Sequence, residues 1–148
     1  MNMNGFISRS SSIGRHVMHI AFKVKYCHKI FEYESVRTIC EKIFRDVAQE
    51  MKIDIQEIGF DKDHVHIIVD IGLYSIVEVA KKLKGVSGYK LLRAFKWLKK
   101  RYFWGSGLWN PATYFDSVGN NASAVRKYVK NQGIQLRLTA FNSDATSL

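Results

Sequence analysis

The residues whose types and spacing most directly suggest chemistry are two histidines two residues apart. His64 and His66 lie in the segment DHVHIIVDI, whose apolar, β-forming residues from Val65 to Ile71 predict a strand. Side chains alternate along a strand, so both imidazoles should share one face while Val65 points into the core. Two neutral imidazoles held this close make half of a divalent-metal site. The alternative is that both histidines lie on a half-exposed sheet face and bind nothing.

A tyrosine and a glutamine near the end of the chain could complete this site. Tyr128 and Gln132 lie one turn apart in a segment, about Ala122 to Ile134, that we expect to be helical, so both side chains follow one line of the helix surface. A phenol is a nucleophile and an amide oxygen is a metal ligand, and these are the two parts that the histidine pair lacks. The alternative is that Tyr128 only packs.

Two further histidines precede the pair. His16 and His19 fall in the first predicted strand, His16 to Tyr26, and their three-residue spacing would place them on opposite faces of that strand. The sequence therefore favours neither of them as a ligand.

The composition indicates one domain with a polyanionic partner. The chain has 148 residues, 47% of them apolar, which is enough for a single domain with a buried core. Lys and Arg number 23 against 13 Asp and Glu, and the charge of +10 with a pI near 9.7 favours nucleic acid as the partner. No apolar stretch approaches the ~20 residues of a membrane span, and the first residues lack a signal-peptide pattern, so we expect a cytoplasmic protein without membrane contact.

The elements that must position the candidate residues are predicted to be an antiparallel sheet and helices. We expect residues 1–14 to form a loose N-terminal arm, residues 15–135 a single domain and residues 136–148 a polar tail. Within the domain, strands are expected at His16–Tyr26, at Ile53–Phe60, in the histidine segment after the turn Asp61-Lys62-Asp63, and at Thr113–Val118. Helices are expected at Glu34–Lys52, from the Ser75/Glu78 capping box to Gly85, at Ser87–Phe103 and at Ala122–Ile134.

Basic and aromatic side chains are concentrated in the two predicted helices before Phe103. A cationic surface with flat aromatic side chains suits a site that follows a nucleic-acid backbone and stacks bases. The alternative is an ordinary solvated helix face above core aromatics. The residues that we expect to contact DNA are Lys81, Lys82, Lys84, Lys90 and Arg93.

Several motifs, taken together and in order, resemble the single-tyrosine HUH transposases encoded by insertion sequences (TnpA-type). They are His64-Val65-His66, Leu83-Lys84-Gly85, Leu108-Trp109, the run from Tyr114 to Asn120 and the run from Tyr128 to Gln132, and the match covers about Arg15 to Gly133. The resemblance implies an α+β fold of the ferredoxin-like, RNA-recognition-like HUH nuclease type, with helices packed on an antiparallel sheet.

The same resemblance implies a metal-dependent tyrosine DNA transposase that cleaves and rejoins single-stranded DNA at hairpin-bearing insertion-sequence ends. It makes Tyr128 the catalytic nucleophile, which forms a 5′-phosphotyrosine intermediate, and His64, His66 and Gln132 the ligands of Mg²⁺ or Mn²⁺. No nucleotide cofactor is expected, because the phosphotyrosine bond conserves the phosphodiester energy. The resemblance also implies a homodimer with shared active sites, with Gly119-Asn120-Asn121 as the hinge before the tyrosine.

Three other functions fit parts of the pattern. A relaxase or replication initiator of the HUH class would often carry more ligand histidines or paired tyrosines. A non-catalytic module that binds single-stranded nucleic acid would carry glycine and aromatic residues on its central strands, where this chain has Ile67 and Val69. A two-histidine phosphoesterase needs Ser or Thr two residues after each histidine, and no histidine of this sequence has one.

Overall fold

A computed structural model describes residues 2–3, 6–9, 12–118 and 127–131. The strands are β1 (Asn2–Met3), β2 (Phe6–Arg9), β3 (Ser12–Gly14), β4 (Val17–Val24), β5 (Asp54–Phe60), β6 (His64–Asp70) and β7 (Trp109–Ser117). The helices are α1 (Glu34–Met51), α2 (Ile76–Ala94), α3 (Lys96–Arg101) and a helix over 127–131 that we call the tyrosine helix.

The main sheet has four antiparallel strands in the order β5-β6-β4-β7. Strand β4 alternates between buried and half-buried residues, and its buried side chains join those of β6, α1 and α2 in one apolar core. One face of the sheet is therefore covered by α1 and α2. This architecture confirms the predicted α+β class with helices on an antiparallel sheet.

The predicted hairpin carries the histidines. Strands β5 and β6 are joined by residues 61–63, and the Asp61 N–H donates to the carbonyl oxygen of His64 at 2.8 Å. Helix α1, predicted over Glu34–Lys52, ends at Met51 because Lys52 adopts a left-handed conformation, with φ of 59°, and its N–H caps the last carbonyls. The sequence therefore predicted both elements to within a residue or two.

Helix α2 corrects one boundary of the sequence analysis. The capping box of Ser75 and Glu78 starts the helix as predicted. However, α2 does not end at Gly85 and continues to Ala94. Phe95 then separates it from the short helix α3. A glycine inside a helix is only about 1 kcal/mol less favourable than alanine. That difference is too small to end a helix whose buried side, including Leu83 and Leu91, continues across it.

Strand β7 is longer than predicted and passes through Pro111. Trp109 lies opposite Val24 and Thr113 lies opposite Phe22, so β7 has extra residues between these two pairs. Proline is tolerated there because β7 is an edge strand and the bulge needs no ladder N–H from it.

The N-terminal arm differs from the loose segment that the sequence predicts. Strands β1, β2 and β3 pair antiparallel in a small sheet of their own. Backbone pairing of this kind needs no alternating apolar pattern, so the polar sequence did not reveal it. The predicted hinge Gly119-Asn120-Asn121, the ligand Gln132 and the tail 136–148 lie outside the described residues. In the part of the chain that is described, no helix is long and apolar enough to span a bilayer.

Candidate active site

The histidine pair lies on the face of the main sheet that α1 and α2 leave uncovered. Val65 and Ile67 are fully buried in the core, so alternation along β6 directs His64 and His66 to the opposite face. Their ring centroids are 4.7 Å apart and the rings are nearly perpendicular. Because β6 lies between β5 and β4, both flanks of the strand are hydrogen-bonded. The two predicted metal ligands therefore stand together on a well-supported strand.

The turn before β6 supplies carboxylates to His64. Nδ1 of His64 lies 2.8 Å from Oδ1 of Asp63, and Nε2 lies 3.8 Å from Oδ2 of Asp61. A carboxylate that accepts a hydrogen bond from one ring nitrogen orients the imidazole and leaves the lone pair of the other nitrogen for a ligand. The Asp63 contact thus prepares Nε2 of His64 for a cation.

His19 makes the corresponding contact with His66. Nε2 of His19 is 2.9 Å from Nδ1 of His66, and the two rings stack with centroids 5.0 Å apart. The other nitrogen of His66, Nε2, is buried and has no hydrogen-bond partner within the described part of the chain. A buried polar atom of this kind is unfavourable unless something satisfies it. The residues present therefore fit a metal ion bound at Nε2 of His66.

Burial favours the neutral form of His66 and of His19. The pKa of His66 is lowered to about 4, first by burial and then by His64 and His19, against an opposing effect of Asp61. Burial also lowers the pKa of His19, against the opposing charge of Asp116. A metal ion competes with the proton for the same lone pair, so a histidine that resists protonation is available to a cation at neutral pH.

The tyrosine helix brings Tyr128 to this face of its own chain. The ring centroid of Tyr128 is 6.0 Å from that of His66, with the two rings nearly perpendicular. Val129 is fully buried whereas Tyr128 is half exposed, so the helix is fastened by one side chain while the phenol stays accessible to a substrate. The arrangement places a phenol, a side chain that can act as a nucleophile, beside the candidate metal site.

The two histidines need at least one further ligand to hold an ion. Among the residues that the structure describes, no three His, Cys, Asp or Glu side chains are grouped so that they could hold a metal. The third ligand that the sequence predicts, Gln132, follows the described part of the tyrosine helix directly. Its amide oxygen would add a hard donor to two nitrogen donors, which suits Mn²⁺ and tolerates Mg²⁺.

The predicted DNA-binding residues lie in a different layer from the histidines. Helix α2 packs on the covered face of the sheet, so its exposed side points away from Tyr128. Arg93 donates to the hydroxyl of Tyr89 at 2.7 Å and lies over the ring of that tyrosine. The predicted residues that are exposed on this helix are Lys81, Lys82, Lys90 and Arg93.

Lys84, the fifth predicted DNA contact, is bonded to β7. Its ammonium donates to the carbonyl oxygens of Pro111 and Ala112, at 3.2 and 3.1 Å, and to the hydroxyl of Thr113 at 3.3 Å. Burial lowers the pKa of Lys84. In this position the lysine joins α2 to the bulge of β7.

Sequence reasoning missed two residues on the histidine face. The sequence favours no ligand role for His19, and the structure gives it a different one, a hydrogen bond to His66. Lys23 lies opposite His64 in the β4–β6 pairing, and its ammonium stands 5.9 Å from the ring of Tyr114. The alternation of His19, Ala21 and Lys23 is visible in the sequence, but the register that sets them beside β6 is not.

Comparisons with known proteins agree on one family. The family model described as IS200-like transposase matches residues 12–132. The ISDra2 transposase TnpA of Deinococcus radiodurans is 31% identical over 116 residues, covering 77% of this chain and 81% of that protein. The transposase for insertion sequence element IS200 of Salmonella typhimurium is 31% identical over 119 residues, covering 77% of this chain and 74% of that protein.

Solved structures give the same result. A crystal structure from Deinococcus radiodurans R1, of a protein assigned as a transposase, superposes with a TM-score of 0.67 at 26% identity, covering 84% of this chain and 96% of the other. A REP-associated tyrosine transposase bound to a REP hairpin superposes with a TM-score of 0.55 at 14% identity, covering 82% of this chain and 67% of that one, which shows a shared fold.

The low pKa of His66 predicts an acid-sensitive fold. Unfolding exposes His66 and restores a pKa near 6.5. Between about pH 6.5 and pH 4, the unfolded chain therefore binds a proton on this imidazole that the folded chain does not bind. Stability should therefore fall as the pH drops through this window. His66→Gln should reduce the decrease in melting temperature, measured by circular dichroism in the presence of a chelator. His16→Gln, which removes an exposed imidazole, is the control, and equal pH dependence in all three proteins would contradict the prediction.

Proposed function

The chain belongs to the IS200-like transposase family, and on that premise we propose that it cleaves and rejoins single-stranded DNA at hairpin-bearing insertion-sequence ends through Tyr128. Membership of the family makes it a transposase, a DNA-processing enzyme. The observation that carries the finer proposal is the position of the Tyr128 ring, 6.0 Å from His66 on the histidine face. The phenol of Tyr128, the imidazoles of His64 and His66 and the nearby ammonium of Lys23 are groups that phosphodiester chemistry can use.

In this proposal the phenol oxygen of Tyr128 attacks a backbone phosphorus. The phenol gives up its proton to solvent as the new O–P bond forms. The bond from phosphorus to the 3′ oxygen breaks, and that oxygen leaves with the electron pair and takes up a proton from solvent. The products are a 5′-phosphotyrosine and a free 3′-hydroxyl. Because one phosphodiester replaces another, a different 3′-hydroxyl can reverse the step and join a new strand without a nucleotide cofactor.

His64, His66 and Gln132 would hold a Mg²⁺ or Mn²⁺ ion in this proposal. Bound there, the metal supplies a Lewis acid that polarises a non-bridging phosphate oxygen. Asp63 orients the ring of His64, and His19 orients the ring of His66. For Nε2 of His66 to serve as a ligand, its Nδ1–H must donate to Nε2 of His19, which the 2.9 Å separation allows.

Two surfaces would contact the DNA. The active-site face would bind the strand to be cut, and the exposed basic side chains of α2 would bind phosphates elsewhere on the hairpin. Three exposed aromatic side chains, Tyr89 on α2, Trp97 on α3 and Trp104 in the turn after α3, offer flat surfaces to unpaired bases. Since α2 and the histidines lie on opposite sides of the sheet, a bound DNA has to pass around the molecule. The REP-associated relative was solved with a hairpin, which supports a structured DNA as substrate.

A homodimer with shared active sites also belongs to the proposal. The chain places Tyr128 beside its own His66, so a shared site requires the tyrosine helix to leave this face and dock on the same face of the partner. A cytoplasmic location stays a prediction of the sequence.

The first prediction concerns the nucleophile. Incubation with a hairpin-bearing single-stranded DNA and Mn²⁺ should trap a covalent protein–DNA adduct, seen as a shifted band on a denaturing gel. Tyr128→Phe should abolish the adduct because only the attacking oxygen is removed. Tyr114→Phe, a matched change at a half-exposed tyrosine on the same face, should leave it in place. An adduct that persists in Tyr128→Phe would refute the assignment.

The second prediction separates metal binding from DNA binding. His64→Ala or His66→Ala should weaken Mn²⁺ binding and lower adduct formation by at least about a hundredfold, because each change removes a ligand. Hairpin affinity should be retained and should fall steeply with salt, because phosphate contacts supply it. Calorimetry with Mn²⁺ and fluorescence anisotropy with labelled hairpin measure the two properties. Loss of hairpin binding in both folded variants would show that the histidine strand itself contacts DNA.

The third prediction distinguishes shared from separate active sites. A heterodimer is purified from a Tyr128→Phe chain and a His64→Ala chain that carry different affinity tags. If sites are shared, the intact tyrosine of one chain meets the intact histidines of the other, and about half of the normal adduct forms per dimer. If each chain uses its own tyrosine, both sites are damaged. A heterodimer that binds hairpin DNA and forms no adduct would therefore rule out the shared arrangement.

A further inference from the structure

Gly59 lies directly beneath the tyrosine helix. It belongs to β5, where it is paired with His66, and it is buried. A β-carbon built on Gly59 would stand 2.9 Å from the carbonyl carbon of Val129 and 3.1 Å from its Cγ1, and nearer still to its carbonyl oxygen. The tyrosine helix thus occupies the space that any other residue at position 59 would fill.

The requirement for glycine here is one of space. The backbone of Gly59 does not adopt the left-handed conformation that side chains disfavour, whereas Gly105 does, with φ of +64°. Nor is crowding a general feature of the described glycines, because a β-carbon added at Gly85 or Gly107 meets nothing within 4 Å among the described residues. Close approach of another backbone is the remaining physical reason for a glycine inside this strand.

Gly59 lies close to both Tyr128 and His66. Val129, whose backbone occupies the space above Gly59, directly follows Tyr128 in the chain, and His66 is the residue paired with Gly59 across the β5–β6 ladder. Val129 is fully buried while Tyr128 and Lys130 on either side are exposed. Among residues 127–131, Val129 is therefore the one buried against the sheet, beside Tyr128 in the chain and His66 in the neighbouring strand.

We propose that Gly59 is a positioning residue, a side-chain-free seat in β5 that receives the backbone of the tyrosine helix at Val129 and so sets Tyr128 against His66. The proposal rests on the proposed function in taking Tyr128 as the nucleophile. A β-carbon at this seat would lift the helix, and a displacement of about 1 Å at reacting groups can lower a rate about a hundredfold. Because the seat belongs to the sheet that carries the histidines, it would receive a tyrosine helix from either chain of a dimer.

Gly59→Ala tests the seat. Single-turnover adduct formation at saturating hairpin DNA and Mn²⁺ should slow about a hundredfold, while the dissociation constant for hairpin DNA stays within about twofold. A general structural role would change both quantities together. Gly107→Ala is the matched control, because it makes the same glycine-to-alanine change where the added carbon meets no atom of the described residues within 4 Å. A Gly59→Ala protein that forms adduct at the normal rate would overturn the proposal.

Hydrogen exchange gives a readout that needs neither DNA nor metal. In Gly59→Ala, the amides of residues 127–131 should exchange at least about tenfold faster, while those of α1 keep their protection. If Gly59→Ala does not fold, Val129→Ala replaces it. That change removes the buried side chain whose Cγ1 packs over Gly59 and leaves the sheet unchanged, and the same local increase is expected. Unchanged exchange at 127–131 in the folded variant would overturn the seat. Failure of the unsubstituted protein to form any adduct would instead refute the proposed function, and the exchange result would still judge the seat.

Discussion

The candidate active site depends on the register in which β6 pairs with its two neighbours. On one side this register sets Ala21 opposite His66 and so brings His19 into hydrogen-bonding distance of the same imidazole. On the other side it sets Gly59 next to His66 and leaves an opening for the tyrosine helix. A shift of one residue would turn every side chain of β6 to the opposite face and bury the histidines in the core. The apolar residues on the covered face, such as Val65 and Ile67, therefore hold the chemistry in place.

The helices cover only one face of the sheet, and this determines how deeply the imidazole of His66 on the other face is buried. Helices α1 and α2 make one face a continuous apolar core, whereas the other face carries the half-buried His64 and His66 beside the buried Ile68. His66 is buried enough to resist protonation, and its Nδ1 is hydrogen-bonded, yet its Nε2 is left without a partner in the described chain. A neutral imidazole with one nitrogen fixed and one unsatisfied is suited to a cation. The same partial exposure leaves Tyr128 accessible to a substrate.

The basic side chains of α2 lie in two different environments. Most basic side chains of α2 are exposed, whereas Lys84 is bonded to carbonyl oxygens at the bulge of β7, where Pro111 interrupts the ladder. Sequence composition cannot separate these two roles, since both are lysines on the same helix. The location of α2 behind the sheet also means that the predicted DNA-contacting side chains and the candidate active site lie in different layers of the fold, so that one can be changed without the other.

The sequence alone determined the features that depend on neighbours a few residues away. Alternation placed His64 and His66 on one face, helical periodicity located α1, and the Ser75/Glu78 pair located the start of α2. Local signals were less reliable where a small energy had to be weighed against packing, as at Gly85, which does not end its helix. Only the tertiary structure decided which distant residues meet: His19 with His66, and Gly59 with Val129. These contacts depend on strand register and helix docking, which arise from the packing of whole elements. Neither contact produces a residue pattern that could be recognised in the sequence of the two segments that meet.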